Sequence, residues 1–212
     1  MYFAHEIPEL TVYPRGFPGY WLGAVFSGTF DWESGGKSLV TAYVRFVEAA
    51  YRRYREGREG ALTFIDSDGS SVPIGAYMHA CTSFEDCVSH MHRAIQCITG
   101  IRKNQIIPEQ LRALLADRPN FLLNRTPDRI RELRNTIQHN YQALFDGQIA
   151  PGSPTSLMVE GHEEPVPGQP GQILKTWDRI QIGQQSILLR DLHAWLVAMG
   201  DCADAISRYR TS

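Results

Sequence analysis

The segment Thr126 to Gly147, TPDRIRELRNTIQHNYQALFDG, constrains this chain more than any other, because it carries both ends of a helix as well as its period. Thr126 suits the cap, Pro127 the first helical position, and Asp128 the positive end of the helix dipole, while Gly147 supplies the stop. Ile130, Leu133, Ile137, Tyr141 and Leu144 recur at three- and four-residue steps, so they form one apolar stripe that must face other protein. A chain with such a rod has to build a helical core around it. At roughly 100° per residue, Asn135 and His139 share a row on the side away from the stripe. Arg134 stands at the margin of the stripe, about 140° around the axis from His139.

Other segments supply the partners for that stripe. From about Ser38 to Glu59, Val40, Val44, Val47, Tyr51 and Tyr54 fall on one helical face, with Gly57 and Gly60 read as its close. ALTFID and SVPIG, separated by SDGS, read as two short strands about a tight turn. A second long helix runs from about Ser83 to Ile101, with a start as early as Tyr77, on the stripe Phe84, Val88, Met91, Ile95 and Ile98. A short helix, Pro108 to Asp117, leads into the central one. After Gly147 a Pro- and Gly-rich stretch contains a short strand at Ser156 to Val159. RIQIG and SILLR then pair about Gly183 and Gln184, and a helix from Asp191 to Tyr209 closes the chain.

The expected class is therefore mainly α, a helical bundle with short β-hairpin insertions, organised as one domain over 1–212. Within it, 1–36 form an aromatic-rich arm packed on the bundle or on a second subunit, and 37–212 form the bundle, with a strand insertion at about 150–190. At 212 residues and 43% hydrophobic content, the chain is large enough to bury a core.

The net charge of −2 provides no global basic field for nucleic acid. The cations are nearly all arginine, however, and they cluster at Arg52, Arg53, Arg55 and Arg58 and again at Arg125, Arg129, Arg131 and Arg134. A planar guanidinium grips phosphate, although the first cluster also suits the end of a helix and its dipole. The four cysteines, Cys81, Cys87, Cys97 and Cys202, lie in or beside helical patterns and read as reduced packing residues. No apolar run is long enough to span a bilayer, and MYFAHEIPEL lacks an export signal, so no membrane partner and a cytoplasmic location are expected.

Arg134-Asn135-x-x-x-His139 on a helix of an all-helical core resembles the R-x4-6-H motif of the HEPN family (higher eukaryotes and prokaryotes nucleotide-binding domains). Members of that family are helical bundles, commonly dimers, and many are metal-independent ribonucleases that act as toxins or in antiviral defence. The resemblance implies that Arg134 and His139 of two subunits meet across a homodimer seam, with Asn135 in the polar place directly after the arginine. It also implies a supporting acid on an earlier helix, for which Glu85 and Asp86 are the candidates. Tyr141 completes R-x4-H-x-Y, the variant found in toxins silenced by a co-encoded antitoxin of the minimal nucleotidyltransferase type, which makes Tyr141 a candidate modification site. Unlike many members, this chain continues past the motif helix with a strand-bearing insertion and another helix.

The chemistry expected from these residues is RNA cleavage by the ribose 2′-hydroxyl, with no cofactor and no metal. His139 is suited to proton transfer near neutral pH, Arg134 to neutralising the phosphorane, and Asn135 to orienting the imidazole or the ribose. One helix offers one histidine, so acid and base together call for a two-fold mate. Two other readings remain. One is a non-catalytic helical module that binds nucleotide or a partner chain. The other is a metal-dependent hydrolase built on Cys87, His90 and His92, which is disfavoured because helical residues two apart diverge.

Overall fold

The computed structural model describes residues 2–11, 17–18, 34–67, 73–103, 105, 107–115, 119–148 and 156–208. Their order is β1 (Tyr2–His5), α1 (Ser34–Ile65), α2 (Ile74–Lys103), α3 (Glu109–Leu114), a 3-10 turn (Asn120–Leu122), α4 (Thr126–Phe145), β2 (Met158–Pro165), β3 (Ile173–Ile182), β4 (Gln185–Leu188) and α5 (Leu189–Arg208). The class is mainly α with a small mixed sheet.

The frame is the antiparallel pair α1 and α2, of 32 and 30 residues. Here the expected boundary at Gly57 and Gly60, and the hairpin after it, are overturned. ALTFID as far as Ile65 continues α1, and α2 begins at Ile74, where the second strand was expected to end. Residues 68–72, which include most of the expected SDGS turn and the start of the expected second strand, lie outside the described residues. The helical period in fact runs on, because Tyr54, Gly57, Ala61 and Phe64 keep the core face at three- and four-residue steps. The glycines allow close approach instead of ending the helix. A Cβ on Gly60 would lie 2.8 Å from the Ala76 carbonyl oxygen, and one on Gly57 would lie 3.1 Å from the Phe84 ring. Local strand preference at Thr63, Phe64 and Ile65 yields to tertiary packing: Phe64 stacks on Trp177 at 5.2 Å and touches Phe3 and Tyr77.

That aromatic cluster is also where the first residues of the expected arm dock; residues 12–16 and 19–33 of that arm lie outside the described residues. β1 pairs in parallel with β3, from Tyr2 opposite Leu174 to His5 opposite Trp177. The next residues are held by side chains of the bundle. Tyr54 donates to the Pro8 carbonyl at 2.9 Å, Arg58 donates to that of Ile7 at 3.2 Å, and Ile7 and Leu10 are buried. Phe17 is buried edge-on to Tyr51.

β3 is the centre of the sheet, flanked by β2 on one side and by β1 and β4 on the other. The expected pairing about Gly183 and Gln184 is present, with Gly183 at φ 58°. β2 is longer than its sequence pattern and bulges between Glu160 and Gly161, where a Cβ on Gly161 would overlap the Thr176 carbonyl.

α4 starts and stops close to where its punctuation puts it. Thr126 is itself the first helical residue, however, and Arg125 holds the cap position without a side-chain cap. At the far end Gln148 N–H donates to Ala143 and Gly147 N–H to Leu144, with Gly147 at φ 66°, a Schellman ending. The stripe docks for only part of its length. Ile130, Leu133 and Ile137 are buried, whereas Tyr141, Leu144 and Phe145 are 39%, 49% and 80% exposed.

Candidate functional site

α4 lies antiparallel along one face of α2, and this contact gathers most of the polar residues singled out in the sequence. The second arginine cluster divides there by partner. Arg129 is committed to α5 and β4: it pairs with Asp191 at 3.7 Å, donates to the Ser186 carbonyl at 3.3 Å, and covers the Trp195 ring at 5.4 Å. Arg131 pairs with Asp128 at 2.7 Å. Arg134 has no carboxylate partner among the described residues. It is half-buried, and its Nη1 donates to Asn135 Oδ1 at 3.2 Å. The amide next to the arginine thus props the guanidinium and does not reach toward His139. His139 is exposed and has no hydrogen-bond partner among the described residues. With α4 helical throughout, Arg134 and His139 stand about 140° apart around its axis, so one copy of the chain does not bring them onto one face.

The two candidate acids also separate. Asp86 turns toward α1 and pairs with Arg53 at 3.2 Å, and Arg53 reaches Glu56 at 2.8 Å as well. Glu85 turns toward α4, is only 7% exposed, and accepts the Tyr141 hydroxyl on Oε2 at 3.2 Å. Its other oxygen, Oε1, is buried without a partner. Burial raises the Glu85 pKa above the ordinary carboxylate value, the Tyr141 hydrogen bond works against that, and the charge of Asp86 adds to it. Burial and the Glu85 carboxylate raise the Tyr141 pKa in turn. Glu85 is therefore the acid that faces the motif helix. Its contact is Tyr141 and not Arg134.

One contributor lay outside the expected site. His92 is buried on the α4 side of α2, and its pKa is lowered by burial and then by Arg134, Arg131 and Arg93. Its signal was present in the spacing, since Glu85, Ser89, His92 and Gln96 form a polar row on α2 that is unnecessary for core packing. Beside it, a cavity of about 360 Å³ opens between α2 and the first turns of α4.

The candidate metal cluster is not assembled. Cys87 is buried with its Sγ on Met91 Sδ at 3.8 Å, and burial raises its pKa strongly. His90 stacks on Phe46 of α1 with centroids 6.1 Å apart, whereas His92 faces α4. Among the described residues no three His, Cys, Asp or Glu side chains are placed to share an ion. Nor, among those residues, is any helix long and apolar enough to cross a membrane.

Comparison with protein-family models, with curated proteins and with solved structures finds no match. The functional reading therefore stands on the residues themselves.

Proposed function

We propose that this protein is a metal-independent endoribonuclease of HEPN type that works as a homodimer, in the manner of a toxin or defence effector. The observation that carries the reading is the state of Arg134. Its guanidinium is not neutralised by any described carboxylate, is propped by Asn135, and sits on the same rigid helix as an unengaged imidazole. A cation held ready in this way favours the dianionic phosphorane more than the monoanionic phosphodiester, which is what accelerates the chemical step. His139 would move the proton at the 2′-hydroxyl or at the leaving 5′-oxygen, and its two-fold mate would serve the other oxygen.

The homodimer is supported by α4 itself. Arg134 and His139 point apart within one copy, and the last two turns expose Tyr141, Leu144 and Phe145, an apolar end suited to a second chain. Within the same reading, the half-exposed Tyr141 hydroxyl with Glu85 as acceptor is a reasonable target for an antitoxin of the nucleotidyltransferase type.

The test is cleavage of single-stranded RNA by the purified protein in EDTA. Products ending in 2′,3′-cyclic phosphate are expected, with a loss of about 10²-fold or more in Arg134→Ala and in His139→Ala. Undiminished activity in the double variant overturns the assignment. The divergence of Arg134 and His139 within one chain equally favours a non-catalytic module that binds RNA through Arg134. That protein would retain RNA and release no product.

A further inference from the structure

The cavity between α2 and α4 belongs neither to the core nor to the pair Arg134 and His139. Its floor is His92 and Ile95, 8% and 7% exposed, and Pro127 forms an apolar wall. Gln96 and Thr99 put hydrogen-bonding groups on the α2 side of the mouth, and Asp128 and Arg131 line the α4 side. At about 360 Å³ it falls at the small end of the range for ligand pockets, roughly 300–1,000 Å³. That volume suits one nucleotide better than two.

Of the charged side chains that line the cavity, Asp128 is paired with Arg131, and further cations surround His92. Arg93, Arg131 and Arg134 are the cations that act on His92. Arg131 has one carboxylate partner, Asp128, while Arg93 and Arg134 have none among the described residues. Arg93 is held over the Phe46 ring at 5.6 Å. Apolar contact from Ile95 and Pro127, an amide and a hydroxyl at the edge, and the Arg131 guanidinium, with Arg134 one helical turn further along α4, make a combination that suits a base with an attached phosphate. Arg131 precedes Arg134 by three residues, so the cavity begins about one helical turn, ~5 Å, from the proposed scissile phosphate. A neighbouring nucleotide of a bound strand lies at about that remove.

We infer that this cavity binds one nucleotide of the RNA strand adjacent to the cleaved bond. Its base lies on Ile95 and Pro127 and is read by Gln96 and Thr99, and its phosphate is gripped by Arg131. His92 offers a hydrogen-bonding group beside Ile95, its pKa held down by burial and then by Arg134, Arg131 and Arg93. The choice of RNA rests on the ribonuclease reading, but occupancy of the cavity can be measured without cleavage.

The experiment titrates the full chain in EDTA with the four nucleoside 5′-monophosphates and, separately, with inorganic phosphate, by calorimetry or by NMR shifts. At least one nucleotide is expected to bind at least tenfold more tightly than phosphate. Arg131→Gln should weaken it at least tenfold, and Gln96→Leu should reorder the four bases with the thermal midpoint unchanged. Nucleotide affinity equal to that of phosphate and indifferent to Gln96→Leu overturns the inference, as does wild-type protein that binds no nucleotide at millimolar concentration. His139→Ala separates the two readings: it is expected to stop cleavage while holding nucleotide affinity within twofold. Wild-type protein that binds nucleotide but cuts nothing overturns the nuclease reading alone. Cleavage without nucleotide binding overturns the cavity alone.

Discussion

α2 presents two faces to two different neighbours. Toward α1 it offers Ala80, Phe84, Cys87 and Ala94, all without exposed surface, and it approaches closely enough that Gly60 has no room for a side chain and Gly57 little. Toward α4 it offers Glu85, Ser89, His92 and Gln96, with an orphaned carboxylate oxygen, an imidazole whose pKa is held down, and a cavity. The first face is mainly core packing, with Asp86 on Arg53 and His90 on Phe46 along its edge. The second keeps polar groups in a place where leucine would pack better, which raises cost without adding packing. Two neighbouring helices thus divide the work: α1 holds α2 in place, and α4 forms the candidate site with it.

The largest effect that would break this contrast is at Phe84. Phe84→Ala should remove about 3–5 kcal/mol of stability, because the ring is fully buried against Gly57 and Tyr54 and the gap cannot collapse. Denaturant unfolding checks it, and a loss under 1 kcal/mol would mean that the α1 face is less consolidated than its geometry implies.

A smaller effect, of distinctive sign, is expected at Glu85. Its folded pKa is raised, so the folded chain binds more protons than the unfolded one between the ordinary carboxylate value and the raised value. Stability should therefore fall as pH rises through that window, and the penalty should be complete above it. Glu85→Gln should flatten this part of the pH–stability profile relative to wild type and leave the variant at least as stable at pH 7. A variant that is less stable at pH 7 with an unchanged slope would show that the carboxylate is satisfied in solution.

The smallest effect on stability is expected at Phe145, which is 80% exposed. Phe145→Ser should change unfolding by no more than about 0.5 kcal/mol. If the end of α4 meets a second copy, the same substitution should weaken self-association in sedimentation by at least tenfold. Unchanged sedimentation would assign that end of α4 to some other role.

Much of the fold was readable where a local signal and the tertiary demand agree. Gly147 ends α4, Gly183 turns β3 into β4, and the stripe from Leu192 to Ile206 forms the buried face of α5. Reading failed where one residue type serves two purposes. Gly57 and Gly60 look like stops because glycine commonly ends helices, yet here they permit interhelical contact. ALTFID looks like a strand because β-branched and aromatic residues favour one, yet its Phe64 is claimed by Trp177. The parallel pairing of β1 with β3 spans more than 170 residues of sequence and leaves no local trace. At the candidate site, Arg134, Asn135 and His139 were marked by their spacing. The choice of Glu85 over Asp86, and the place of His92, were not, because adjacent helical residues differ by about 100° in direction and only a neighbouring helix gives that direction meaning.

By itself the sequence determined a mainly helical chain, the bounds of its motif helix, and the set of side chains capable of phosphate chemistry, because caps, periods and side-chain chemistry are short-range properties. Tertiary structure alone decided that Arg134 meets no carboxylate among the described residues, which acid meets Tyr141, and that a cavity opens beside His92. Those outcomes depend on how two helices distant in the chain face one another, and no local pattern encodes that angle.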